Sequence, residues 1–228
     1  MQGMGSEQGF WTLLSPNERN ALAGAGRPRD YQAGAILVNE GDLATNVFIL
    51  LTGLVKIQST TLDGHGIVLA LRGDGDIVGE VGAETTTRNA TIRAITKVRA
   101  LIVQYDKFYS FLDSHLGAGH AYRRVVTHRW NDSDASLRIR AVTTGGQRLA
   151  ALLLDLGGRY GRKVNGVIDL TLPLSQEELA SLAGTSRATV TRAFDSWRQR
   201  DLIRTRQHRI TIIDPDDLRR IAGPALPA

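Results

Sequence analysis

Two groups of residues in this 228-residue chain have the types and spacing to hold charged partners. The first is Arg187, Thr189, Thr191 and Arg192, with Ser186 just before them. On one helix these polar residues occupy the first turns, and the two arginines can both reach outward. A guanidinium fork matches the O6/N7 edge of guanine in the major groove, so the pair suits a helix that reads duplex DNA. The second group is Gly79-Glu80-Val81 with Arg88-Asn89. The glycine allows close backbone approach. An arginine and free backbone N–H groups can hold a phosphodiester, and a carboxylate can accept hydrogen bonds from a ribose hydroxyl. Such a set suits a nucleotide that carries both groups. A buried Glu80–Arg88 ion pair stabilising a bend would use the same charges, and spacing alone does not separate the two readings.

The arginine pair needs a scaffold, and the residues from Leu174 to Arg206 supply one. Ser175 and Glu178 form a capping box at the start of a helix whose apolar side is Leu179, Ala180, Leu182 and Ala183. Gly184 ends it, because glycine enters the left-handed region without steric cost. Ser186 caps a second helix, Arg187 to about Arg200. Ala180, Gly184 and Val190 keep the offsets of a helix-turn-helix: a small residue where helices touch, a glycine at the turn, a valine packed between. Leu202 to Thr205 and Arg209 to Ile213 then read as strands joined around Gln207-His208, a wing that adds Arg206 and His208 to the DNA-facing set. Seven arginines (187, 192, 198, 200, 204, 206 and 209) lie in this helix and wing, against two acids there, Asp195 and Asp201. Charge follows the same division. Residues 1–137 hold 13 Lys+Arg against 14 Asp+Glu, and residues 138–228 hold 15 against 9. The basic excess thus sits where phosphates would be met.

The second group lies in a different kind of scaffold. After a helix from Phe10 to Ala23, with Ser15 as cap, Pro16 at its first position and Glu18 completing the box, the hydrophobic period becomes two. Short β-rich runs from Ile36-Leu37-Val38 to Val98–Val103, punctuated by glycines, indicate an antiparallel barrel or sandwich. Asp106 is placed to cap a short helix. A long one follows from about Gly119 to Ala141, with a stripe of Tyr122, Val126, Trp130, Ser133, Leu137 and Ala141. That stripe reads as a dimer seam or as a face lying on the barrel. Thr143-Thr144-Gly145-Gly146 is a boundary or hinge, and a helix from Gln147 to Arg159 is ended by Gly157 and Gly158. Val167 to Leu172 is a strand, and Asp214 to Asp217 caps a last short helix.

Other functions lack their residues. There is no cysteine, hence no disulfide, thiolate nucleophile or cysteine-ligated cluster. A metalloenzyme would need a histidine/carboxylate cluster, and the strands offer His65 alone. No apolar run reaches the ~20 residues of a membrane span, and no signal peptide is visible, so the expected location is cytoplasmic.

A β-roll, a long helix and a winged helix-turn-helix, in that order, resemble the Crp–Fnr family of bacterial transcription regulators. The motif from Leu174 to Ala180 with Gly184 to Arg192 carries most of that resemblance. It implies an α+β fold: an antiparallel, cyclic-nucleotide-binding-like β-roll domain over 10–115, a long dimerisation helix and hinge over 116–144, and a winged helix-turn-helix DNA-binding domain over 145–222. It also implies a homodimer on palindromic double-stranded DNA, with Arg187 and Arg192 reading guanines, RNA polymerase as a partner, and no enzymatic activity or membrane association. Ala188 stands where cAMP-responsive members carry a base-reading glutamate. By the same resemblance Gly79, Glu80, Val81, Arg88 and Asn89 look like a phosphate-binding cassette, Glu80 for the ribose hydroxyl and Arg88 for the cyclic phosphate. Ser133 matches the residue whose hydroxyl contacts adenine. The implied effector is cAMP or a related cyclic nucleotide, with no covalent cofactor. Two departures stand out: a shortened Glu-to-Arg interval, and Val81-Gly82-Ala83 in place of a bulky aliphatic continuation.

Overall fold

The computed structural model describes residues 9–61, 66–81 and 87–223. The N-terminal tail, His65, and Gly82-Ala83 lie outside the described residues, as do the side chains of 134–139, which include Leu137 of the expected stripe. Contacts divide the chain into two units, residues 1–130 and 131–228.

The first unit begins with one helical turn, α1 (Phe10–Leu13), and then α2 (Pro16–Ala25). A single helix was expected here. Ser15 instead stays extended, and its capping box with Glu18 starts a new helix. Among the described residues eight strands follow: β1 (Arg27–Tyr31), β2 (Ile36–Val38), β3 (Asn46–Thr52), β4 (Val55–Thr60), β5 (Gly66–Arg72), β6 (Ile77–Val78), β7 (Thr91–Ala94) and β8 (Val98–Gln104). They form two four-stranded sheets, ordered β1-β8-β3-β6 and β2-β7-β4-β5, with antiparallel pairing throughout.

Strand β3 shows why the roll holds together. Successive side chains point to opposite faces, and both faces are buried. Val47 and Ile49 join Ile77, Leu101 and Val103 in a core with Phe10, Leu22 and Phe108. Phe48 and Leu50 join Val55, Val78, Ile92 and Val98 in a second core between the sheets. The first core is closed by α3 (Tyr105–Ser114) and the start of α4 (Leu116–Val142), through Phe108, Phe111, Ala118, Ala121 and Val125. Asp106 does not cap α3: Gln104 holds the N-cap position without a side-chain bond, and Asp106 lies in the first turn.

The second unit holds the end of α4, then α5 (Gly145–Tyr160), β9 (Arg162–Val164), β10 (Val167–Thr171), α6 (Gln176–Ala183), α7 (Arg187–Gln199), β11 (Ile203–Arg206), β12 (Arg209–Ile212) and α8 (Pro215–Ala222). The strands form a third sheet, β11-β12-β10-β9. The break between α4 and α5 is two residues, Thr143 and Thr144, because Thr144 caps α5 in a box with Gln147 and draws Gly145 and Gly146 into the helix. Gly157 and Gly158 do not end α5, which runs to Tyr160. Gly157 is a packing residue: a Cβ there would lie 2.9 Å from the Ile168 side chain.

Candidate functional site

Strand β6 delivers the chain into Gly79, whose φ of +81° suits glycine. A Cβ at Gly79 would lie 2.8 Å from an Arg88 nitrogen, so the close approach anticipated for this glycine is made to the protein's own guanidinium. Arg88 is only 4 % exposed. One of its terminal nitrogens donates to the Gly79 carbonyl (2.7 Å) and the Tyr105 hydroxyl (3.0 Å). The other donates to the Asn46 carbonyl (2.8 Å) and its side-chain oxygen (3.1 Å). The rings of Phe48 and Tyr105 both lie 5.8 Å from the guanidinium carbon. Arg88 Nε is buried without a partner. Tyr105 also donates to the Gly79 carbonyl (2.6 Å), and burial pushes its hydroxyl above the usual range although the Arg88 charge opposes this. It therefore stays a donor at neutral pH.

Glu80 is not paired with Arg88. Its carboxylate accepts from Arg129 of α4 at 2.6 Å, and Arg129 also donates to the Ile77 carbonyl at 2.8 Å and lies 3.5 Å from Asp76. The Glu80 and Arg129 side chains are 11 % and 16 % exposed, so this is a largely desolvated pair. The ion-pair reading of the Glu80/Arg88 spacing was thus right in kind and wrong in partner. Sequence reasoning missed Arg129. It stands 49 residues from Glu80, and no local pattern marks it beyond its place beside Val126 and Trp130 in the stripe. Val81 and Asn89 are exposed beside the buried pair. Glu80, Arg88 and the Gly79 backbone are neighbours that bring together a carboxylate, a cation and main-chain groups, the kinds of group a sugar phosphate needs, with both charges already engaged within the protein.

In the second unit the helix-turn-helix is built as its spacing requires. Ser175 and Glu178 close their capping box, and Gly184 takes φ +58°. Ala180 and Val190 are buried. Ser186 caps α7 by accepting from the Thr189 amide at 3.2 Å. Arg187, Thr191 and Arg192 are exposed. Thr189, expected on the outward side, is half-buried: a Cβ on Gly145 of α5 would lie 3.2 Å from its methyl. The hydroxyl of Ser133 belongs to an exposed residue of this unit.

The wing carries Gln207-His208 at its tip, with His208 at φ +58° and exposed. The seven-arginine surface is smaller than its sequence count. Arg198 pairs with Asp195, Arg200 with Asp217 of α8, and Arg209 with Asp169 of β10, whose carboxyl Arg209 holds below the usual range. Two of these acids come from outside the helix and wing. Among the described residues Arg187, Arg204 and Arg206 have no side-chain partner, which leaves them available to phosphates or bases.

Two sequence-family models match, a cyclic nucleotide-binding domain over residues 28–115 and a Crp-like helix-turn-helix domain over residues 147–221. The chain belongs to the Crp–Fnr family of transcription regulators. Among relatives of this Crp–Fnr chain, the CRP-like cAMP-activated global transcriptional regulator of Mycobacterium tuberculosis is 29% identical over 215 residues, covering 94% of this chain and 96% of the relative. The cyclic AMP receptor protein of Thermus thermophilus is 26% identical over 192 residues, covering 84% of this chain and 86% of the relative. The fold matches that of the c-di-GMP responsive global regulator CLP of Xanthomonas campestris with a TM-score of 0.75, at 21% identity, over 87% of this chain and 99% of that one. As a Crp–Fnr regulator the chain pairs a cyclic-nucleotide-type domain with a DNA-binding one, and the expectation of a regulator rather than an enzyme agrees with these relatives. Among its described residues no helix is long and apolar enough to cross a membrane.

Proposed function

We propose that this regulator binds palindromic duplex DNA as a homodimer joined along α4, and that a cyclic nucleotide, cAMP foremost, acts at Glu80 and Arg88 to control it. In this reading residues 10–115 receive the effector, 116–144 form the dimerisation helix and hinge, 145–222 contact DNA, and RNA polymerase is the downstream partner. Gly79, Val81 and Asn89 complete the effector contacts of the first unit. Ser186, Arg187, Thr191, Arg192, Arg206 and His208 serve DNA, and Thr189 positions α7.

One observation carries the effector half of the proposal: Arg129 of α4 closes on Glu80. A ribose hydroxyl seated on Glu80 competes with or joins that contact, so occupancy is felt by the long helix. Trp130 on the same helix is 77 % exposed, which supports a second copy packing there. The M. tuberculosis relative is named for activation by cAMP, and that effector is carried over here as part of the proposal.

The test is fluorescence anisotropy with a duplex selected from a random pool, with and without cAMP. DNA affinity is expected to rise with cAMP, and cAMP affinity to rise by the same factor when DNA is bound, because coupling is reciprocal. Glu80→Gln keeps the shape but removes the charge. It is expected to weaken cAMP by about ten- to a hundredfold, the value of one charge-assisted contact of about 1.5–3 kcal/mol. Identical DNA affinity with and without cAMP would refute cAMP control. Arg187→Ala is expected to cost about 1–3 kcal/mol of specific DNA binding, and an unchanged footprint would remove α7 as the reading helix.

A second reading has its own observation. Four hydrogen bonds already engage both terminal nitrogens of Arg88 within the protein. That favours a regulator of the same fold answering to another small molecule or to none. Titration with a panel of cyclic mono- and dinucleotides separates the two.

A further inference from the structure

The long helix α4 begins without a cap of its own. His115 stands at its N-terminal boundary, but the side chain is turned back onto α3. Its Nδ1 donates to the Phe111 carbonyl at 3.0 Å, and the two rings lie 4.6 Å apart. The first turn, Leu116-Gly117-Ala118-Gly119, holds no acid. The first amides of a helix have no acceptor within it, and the macrodipole favours a carboxylate beside them.

Glu18 of α2 fills that place. Its Oε2 accepts from the Ser15 amide (2.8 Å) and the Ser15 hydroxyl (2.7 Å) in the box that starts α2. Its Oε1 faces α4, since a Cβ on Gly117 would lie 2.5 Å from it. The Ser15 hydroxyl first, and then the Ser15 amide, hold the Glu18 carboxyl below the usual range. The Ala118 amide and the His115 charge act in the same direction. Glycine is a poor helix former, and its use at 117 leaves room for this carboxylate.

Little else fixes α4 along its axis. Its face on the core near the start is Ala118, Ala121 and Val125, all small side chains. Axial place therefore depends on polar contacts: Glu18 at the start, and Arg129 with Glu80 about 16 Å further along the helix at 1.5 Å per residue.

We infer that Glu18 is a positioning residue: it caps α4 as well as α2, and so sets where Arg129 stands to meet Glu80. The cap is independent of the proposed function. The inference rests on that reading only in taking Glu80 as the effector residue, and it names the residue through which α2 governs the helix that senses Glu80.

Hydrogen exchange on the full-length protein tests this without any effector. Gly119, whose amide bonds to the His115 carbonyl at 3.0 Å, reports the start of α4. Glu18→Ala is expected to quicken its exchange about fivefold, the size of a lost helix cap. In that background Gly117→Ala is expected to slow it about fivefold, because alanine is the better helix former and nothing stands in its way. With Glu18 present the added methyl displaces the carboxylate, and the slowing is expected to vanish. Equal slowing in both backgrounds would show that Glu18 does not cap α4 and would overturn the inference.

Positioning is read further along, at the amides from Val126 to Trp130. Glu80→Gln is expected to quicken exchange there about tenfold in the otherwise unaltered chain, through loss of a charge-assisted contact. In Glu18→Ala it is expected to add nothing, because Arg129 no longer stands opposite Glu80. If Glu80→Gln acts alike with and without Glu18, the cap is local and the positioning role is wrong. Should Glu18→Ala fold poorly, Glu18→Gln carries the Gly119 and Glu80→Gln comparisons, since an amide has one acceptor oxygen where two are needed. A cyclic nucleotide that changes exchange nowhere would count against the effector reading alone, because none of these comparisons contains one.

Discussion

Arg88→Ala is expected to destabilise the N-terminal unit by about 3–5 kcal/mol, whatever it does to an effector. The guanidinium is buried and joins three segments: Asn46 at the start of β3, Gly79 after β6, and Tyr105 at the start of α3. Truncation leaves the Asn46 carbonyl without this donor and opens a space between Phe48 and Tyr105. Lost charge-assisted bonds contribute about 1.5–3 kcal/mol each, and Tyr105 offsets part of the loss by still donating to Gly79. Arg88→Lys keeps the charge but cannot span Gly79 and Asn46 at once, so about half the penalty is expected to remain. Hydrogen exchange on β3 and β8 amides measures this unit separately from the other, which a single unfolding midpoint would not. Unchanged protection in Arg88→Ala would mean that the guanidinium is held for a ligand and contributes nothing to the roll. The consequence for function is practical: loss of nucleotide binding in Arg88→Ala does not by itself identify a phosphate contact.

What could be read from the sequence divides along the range of the interactions. The helix-turn-helix was legible because its signals are local. The Ser175–Glu178 box spans three residues, and Gly184 takes the left-handed conformation that its place after an apolar helix implies. Strand β1 was missed: Arg27-Pro28-Arg29-Asp30-Tyr31 buries only Tyr31, so no alternation betrays it, and its pairing with β8 arises from the sheet's need for an edge partner. Gly157 and Gly158 were read as a stop because glycine often ends helices, whereas Gly157 is there for Ile168 to approach. The candidate sites show the same division. Glu80 and Arg88 could be picked out, but their partners Arg129, Asn46 and Tyr105 lie 17 to 49 residues away along the chain. Thr189 was misplaced because a polar residue need not face outward. Counting acids only within the helix and wing also missed Asp169 and Asp217, which neutralise Arg209 and Arg200.

Arg148→Ala is expected to loosen the linker and the helix-turn-helix turn together, at about 2–4 kcal/mol of local stability. Arg148 lies in the first turns of α5, and its guanidinium gathers three carbonyls: Thr143 (2.6 Å), Ala183 (2.9 Å) and Gly184 (2.8 Å). The last two belong to the C-terminal end of α6, where carbonyls have no partner within the helix and the macrodipole favours a cation. Thr143 is the residue that follows α4. One side chain thus fastens the break between two helices to the turn that aims α7. Gly145 packs against the same turn, since a Cβ there would lie 2.9 Å from Thr185 Cβ. Arg148→Lys can satisfy only part of this set and is expected to recover about half the loss. The check is hydrogen exchange at the Gly184 and Thr185 amides, which bond to Ser181 and Ala180 carbonyls, followed alongside the amides of the first turns of α5. Faster exchange at both places in Arg148→Ala supports a shared fastening. Faster exchange in the linker with the turn still protected would show that the turn stands on the Ser175 and Gly184 caps alone. Linker motion would then have no route to α7 through this residue.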